Sequence, residues 1–340
     1  MMAHSLLTAT LAWHVFALTG SAFHLGVLGL VQFLPVLPMS LLGGAVADSR
    51  DRRGVTALAQ AASLVGAAVL GLAAAHGTDT LPLLFGMAFA LAVALAFERP
   101  AGAALLPSLV PREIFQSAVV VNSTARNLGT VTGPVAMGFA IEAGGVATAY
   151  ALSAGCLALS VAGLWRVRPP AAAAVRSPVS LASIREGIAF VRGRRLILGS
   201  MTLDMFAVIF AGATALLPIY ADEILEVGPR GYGLLSASMS LGTFLMTLIL
   251  LVRPPVARPG RALLAAVLCF GLATIVFGVS RSFPLSIAAF VIAGMADQVS
   301  MVTRSTIIQL STPDALRGRV SSVNMIFIGA SNELGAAESG

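Results

Sequence analysis

Gly44-Ala-Val-Ala-Asp48-Ser-Arg50-Asp51-Arg52-Arg53 lies hard between two apolar runs, residues 25–47 and 55–75. Each run is long enough to cross a bilayer, which takes roughly 20 mostly apolar residues. The connection between them holds three arginines and two aspartates. Two spans joined by so short and so charged a link predict a helical hairpin whose turn lies at a membrane surface. Working outward, similar runs recur along the whole chain. The predicted spans are 6–20, 24–47, 55–76, 80–107, 115–140, 146–165, 196–220, 231–252, 261–279, 283–310 and 319–340.

Composition agrees with a chain built for lipid. Hydrophobic residues make up 57% of the 340, charged residues only 11%, and mean hydropathy is +0.92. A soluble domain carries about 25% charged residues. The runs are too continuous for barrel strands, which alternate over about ten residues. The expectation is therefore an all-α polytopic membrane protein. All 21 basic residues are arginine, and sixteen of them fall in the connections after even-numbered spans. Only Arg230 and Arg281 fall in the opposite connections. The positive-inside bias places the even-numbered connections in the cytoplasm. The net charge of +6 is then a topology signal and not the footprint of a nucleic-acid partner. Localisation follows as a multi-pass protein of the plasma (inner) membrane with its central linker cytoplasmic. The first span has no positive residues before it and leads directly into a second, so it does not read as a cleaved signal peptide. Cys156 and Cys269 fall inside spans and read as small buried hydrophobes, and nothing has metal-ligand spacing. No cofactor is implied.

The spans divide around an arginine-rich stretch. Residues 1–165 form a first helical half of six spans, 166–195 a cytoplasmic linker, and 196–340 a second half with five. Within the linker, Ile184, Ile188 and Val191 recur at helical spacing between arginines, which predicts an amphipathic helix at the membrane interface. Pro111 and Asn122 match Pro313 and Asn324 at a common offset of 202 residues, each pair in the link between the fourth and fifth helix of its half. This supports a duplicated six-helix unit, a known transporter architecture. On that logic a twelfth span is expected, and the eleventh ends in a polar string, so the chain reads as truncated in helix 11.

The first loop resembles a known signature. Gly44-x-x-x-Asp48-x-x-x-Arg52-Arg53 is similar to the loop between helices 2 and 3 of the major facilitator superfamily. Leu11-Ala-Trp13-His14, Leu18-Thr-Gly20, Asp51-Arg52-Arg53, Pro111-Arg112-Glu113, Arg126-Asn127 and Arg317-Gly318-Arg319 resemble, more closely, the branch that contains enterobactin exporters. The resemblance covers essentially the whole chain. It implies a major facilitator fold of two pseudo-repeated six-helix halves, and a gating role for Gly44, Asp48, Arg52 and Arg53. Physically, Gly44 permits close helix approach and Asp48 can pair with an arginine or a helix N-terminus. The bland alternative is that the arginines only anchor topology. Gly129-x-x-x-Gly133-Pro134-x-x-x-Gly138 resembles the helix 5 motif of proton-coupled exporters, without that motif's closing pair of adjacent glycines. Read alone, it is a small-residue packing face with a proline kink.

Charges within spans are costly, about 2.5–3.5 kcal/mol each at a helix centre on insertion scales. Asp204 and Arg126 read as the proton and substrate candidates. Glu98, Arg99, Asp297 and Arg304 read as structural pairs or snorkelling ends. His14 can titrate near neutrality, but a lone helical histidine reads first as a packed polar residue. The chain has no lysine and hence no P-loop, and it lacks the nucleophile-elbow and zincin motifs. It does not read as an enzyme. The resemblance implies a secondary transporter: proton-coupled efflux of a small organic molecule such as a siderophore or antibiotic, by alternating access. The partners are then that substrate, protons and the lipid bilayer. The alternatives are an uptake carrier of the same fold and a truncated membrane protein that transports nothing.

Overall fold

The computed structural model describes residues 1–35, 38–39, 51–111, 114–167, 181–210, 215–252, 258–313, 316, 320, 323–324 and 327–328. Among these there is no strand. The helices are α1 (Met2–Thr19), α2 (Ala22–Phe33), α3 (Arg52–His76), α4 (Leu81–Leu109), α5 (Phe115–Arg166), α6 (Leu181–Gly193), α7 (Arg195–Phe210) and α8 (Leu217–Ile219). After α8 a π-turn (Tyr220–Ile224) leads to α9 (Gly228–Val252), α10 (Pro259–Val279) and α11 (Phe283–Ser311). Among the described residues, α3, α4, α5, α9, α10 and α11 are long and apolar enough to cross a membrane.

Helix ends follow local chemistry. α1 and α3 stop at Gly20 and Gly77, whose φ values of 58° and 65° are the left-handed cap that glycine adopts without a Cβ penalty. α5 is two helices joined at the predicted break between the fifth and sixth spans, where Gly144 and Gly145 leave helical geometry. Gly145 has φ 75° and ψ −176°, a conformation open in practice only to glycine, and it divides α5 into two membrane-length pieces. α1 begins earlier than the hydropathy reading, at Met2, and takes in His4 and Ser5. The second predicted span is described at residues 24–35 and 38–39, where α2 forms its first part, and the eleventh lies largely outside the described residues.

Surface and core are arranged for lipid. On α10, Leu264, Leu268, Leu272, Ile275 and Val279 are exposed, while Leu263, Ala266, Ala273 and Phe277 are buried on the opposite side. Aliphatics face outward toward lipid, and small residues such as Ala266 and Ala273 on the buried side let the helices approach, because lipid supplies no hydrophobic drive between helices.

The chain forms two compact units. The first comprises residues 1–178 with 228–234, and the second 179–227 with 235–340. In the first, α1 packs along α5, and α3 packs against α4 and α5. Leu6, Leu11 and Val15 of α1 are fully enclosed together with Leu70, Leu84, Met137 and Tyr150. In the second, α10 and α11 pack together and α7 lies against both. Val191 of α6 enters its core with Ile197, Met201, Ile308, Val320 and Val323.

Candidate functional site

Gly44 and Asp48 lie outside the described residues. Of the same loop, Asp51 caps α3: its carboxylate oxygens accept from the backbone N–H of Arg53 at 3.2 Å and of Gly54 at 3.0 Å. Arg53 reaches across to the end of α5. Its Nε donates to the Leu164 carbonyl at 2.9 Å, Nη2 donates to the Trp165 carbonyl at 2.6 Å, and the guanidinium stands 5.7 Å over the Trp165 ring. A cation placed on the orphan carbonyls of a helix C-terminus is favoured by both the hydrogen bonds and the helix dipole. Arg53 thus fastens the start of α3 to the end of α5 within the first unit.

The glycines of α5 form a groove for two neighbours. A Cβ on Gly129 would lie 2.7 Å from the Met2 nitrogen, and one on Gly133 would lie 2.8 Å from the Met2 carbonyl oxygen and 2.9 Å from the Leu6 nitrogen. Only glycine lets the first turn of α1 come so close. Gly138 does the same for the first turn of α9, where a Cβ would meet the Pro229 carbonyl oxygen at 2.8 Å. Gly233 faces the Pro134 carbonyl in return. The contact is fixed by Trp13 stacked on Tyr232 at 5.5 Å and by Arg230 over Phe139 at 4.6 Å. Arg126, one turn before Gly129, is exposed.

Asp204 is buried in α7 and is joined by α11. Ser300 Oγ donates to Asp204 Oδ1 at 3.3 Å, and Arg304 Nη1 pairs with Oδ2. Ser300 and Arg304 are one turn apart on the same face, so the helix period presents both to one carboxylate. Asp204 and Arg304 are 6% and 4% exposed, which leaves little water to share the charges. Arg304 Nε, and Gln298 Oε1 earlier on α11, are buried without a hydrogen-bond partner. Arg304, read from sequence as a snorkelling end, is instead the partner of the principal proton candidate.

Two further polar clusters lie on α1, and neither was legible as a cluster in the sequence. At its start, His4 Nε2 sits 2.8 Å from Glu98 Oε2. Gln60 donates to Glu98 Oε1 at 2.9 Å, and Ser160 Oγ donates to Gln60 Oε1 at 2.9 Å. Glu98 is thereby the centre of a buried network, in keeping with its reading as a structural charge. Near the other end of α1, His14 Nε2 is 2.8 Å from Asp79 Oδ2 and Nδ1 is 3.2 Å from the Tyr150 hydroxyl. The hydrogen bond with His14 holds the Asp79 carboxyl below its ordinary value. Among the described residues no cluster of His, Cys, Asp or Glu could hold a metal ion.

The chain matches the family described as transmembrane secretion effector over residues 4–338. It is 26% identical over 328 residues to the enterobactin exporter EntS of Escherichia coli O139:H28 and equally to that of Escherichia fergusonii, covering 95% of this chain and 74% of each relative. Among solved structures, a bacterial homologue of the human lysosomal transporter Spinster aligns with TM-score 0.73 at 16% identity, over 99% of this chain and 79% of that one. The nucleoside transporter NupG aligns with TM-score 0.69 at 14% identity, over 99% and 85%. At those identities the structural likeness speaks for the fold. It is the major facilitator fold, a multi-pass membrane architecture whose members carry small molecules. With the family match running over nearly its whole length, the chain belongs to the transmembrane secretion effector family of major facilitator transporters.

Proposed function

We propose that this transporter is an exporter, moving a small organic molecule outward in exchange for protons by alternating access, in the plasma (inner) membrane. The substrate class we favour is a siderophore or antibiotic of amphipathic character, in line with the likeness to enterobactin exporters. The asymmetry of the arginines sets the orientation, with the 44–53 loop and the 166–195 linker on the cytoplasmic side. Gly44, Asp48, Arg52 and Arg53 serve as the cytoplasmic latch, and the Gly129, Gly133, Pro134 and Gly138 face of α5 as the close-packed seam that a moving helix must keep. Arg126 is the candidate contact for an anionic group of the substrate.

The observation that carries the coupling is the buried Asp204–Arg304 pair with its Ser300 bond. A carboxylate and a guanidinium enclosed together hold each other in the charged form. Protonating Asp204 leaves Arg304 an unpaired buried cation, a costly state that rearrangement or an anionic substrate relieves. Proton binding and substrate handling are thereby linked at one place.

The test uses inverted membrane vesicles with an acid interior and enterobactin as the probe. Proton-driven accumulation inside the vesicles is expected for the wild type, and its loss is expected for Asp204→Asn at equal expression. Accumulation that ignores the pH gradient in both would refute the coupling. Accumulation only in right-side-out vesicles would mark an uptake carrier.

A further inference from the structure

We propose that His14, held between Asp79 and Tyr150, is a second proton-binding site of the transporter, the one that takes the proton from outside water. This rests on the proton-coupled reading above. With the arginine-rich connections inside, the chain emerges at the end of α1, and the turn from Gly77 to Thr80 that carries Asp79 lies on the outer side. His14 itself is 3% exposed and Tyr150 is fully enclosed, whereas the Asp79 side chain keeps 16% of its surface open. Water therefore meets the pair at the carboxylate.

The chemistry of the three groups suits a proton that comes and goes. With the imidazole neutral, Nε2–H donates to Asp79 and the Tyr150 hydroxyl donates to Nδ1. With the imidazole charged, both ring N–H groups donate, one to Asp79 and one to the tyrosine oxygen. The hydroxyl turns from donor to acceptor, and neither ring nitrogen is left without a partner. Here both nitrogens meet side chains from other parts of the unit, 65 and 136 residues away, so each protonation step changes how α1 is tied to the α3–α4 turn and to α5.

Asp204 differs in this respect, because its partner is an arginine that does not release its proton. At the His14 site the partner is an imidazole, whose two ring nitrogens can carry one proton or two. The Asp79 carboxyl is held below its ordinary value by the hydrogen bond to His14, so it meets the ring as a carboxylate. The remaining titratable groups at this end of the unit make other contacts, although the buried Nδ1 of His24 has no hydrogen-bond partner. His24 of α2 stacks on Phe85 of α4 at 6.5 Å, and His76 Nδ1 contacts the Leu72 carbonyl. Glu142 of α5 pairs with Arg230 at 4.0 Å. On α4, the element that also flanks α1, the buried acid is Glu98, in the network at the opposite end of α1.

The experiment compares full-length wild type with His14→Gln and Tyr150→Phe in proteoliposomes, using enterobactin as the transported probe. Two readouts are taken: transport driven by a pH gradient across a range of outer pH, and substrate counterflow, which needs no net proton movement. The expected result for His14→Gln is loss of gradient-driven transport with counterflow retained. For Tyr150→Phe, a displacement of the outer pH midpoint is expected, because the lost hydrogen bond is stronger to the charged ring than to the neutral one. A wild-type pH profile in both variants overturns the proposal. So does equal loss of counterflow in both variants, which would mark a structural role. If His14→Gln does not accumulate as folded protein, the displacement or constancy of the Tyr150→Phe midpoint decides. A wild type with no gradient dependence refutes proton coupling itself, and is distinguishable from every outcome above.

Discussion

Asp51 has both carboxylate oxygens turned back onto its own helix, where they accept from the N–H groups of Arg53 and Gly54. That makes it the N-cap of α3, satisfying two donors that a helix start otherwise leaves open. Arg53 then covers carbonyls at the end of α5. In a loop where every charge first suggests topology or gating, these two residues have definite structural partners. Asp51→Ala is expected to cost about 1 kcal/mol, the usual loss at an N-cap, with Asp51→Asn close to wild type. Thermal unfolding of the purified protein in detergent measures it. A loss in Asp51→Asn as large as that in Asp51→Ala would show that the charge, and not the cap, is what counts.

At the scale of helices, α5 sets the constraints. Its glycines admit the first turn of α1 at Gly129 and Gly133 and the first turn of α9 at Gly138, while Gly145 supplies the break that lets the chain turn back into the membrane. Gly133→Ala places a methyl against the Met2 carbonyl and the Leu6 amide, both backbone atoms that cannot swing aside. The expected loss is about 1–3 kcal/mol, the range for overpacking, and it should exceed that of Gly155→Ala, where no atom lies within 4 Å. Equal melting temperatures for the two variants would contradict the close crossing. Much of this level is readable from the chain alone. Gly20, Gly77 and Gly144-Gly145 lie at the predicted span ends, and the four-residue glycine spacing predicts a packing face. The start of α1 is not readable in the same way, because hydropathy stops at polar residues and cannot know that His4 meets Glu98. The polar clusters are the least legible. His14, Asp79 and Tyr150 come from three separate stretches with no common period. Asp204 and Arg304 each stand out as a charge in an apolar run, yet nothing local pairs them across 100 residues.

At the scale of the molecule, the two proton candidates belong to separate units, each bound by its own neighbours. His14 is held by Asp79 and Tyr150, and Asp204 by Ser300 and Arg304, with no partner in common. Sites without shared partners add in their effects on stability to within about 0.5 kcal/mol. The stability losses of His14→Gln and Asp204→Asn are therefore expected to sum in the double variant, as read from melting temperatures. Gradient-driven transport should behave otherwise. If one proton must pass both sites in each cycle, blocking either stops the cycle, and the double variant is no slower than the worse single variant. Rates that fell as the product of the two single effects would mean that the sites act in independent steps. Additive stability together with non-additive transport is the pattern expected of two sites that share no partner but act in one proton cycle.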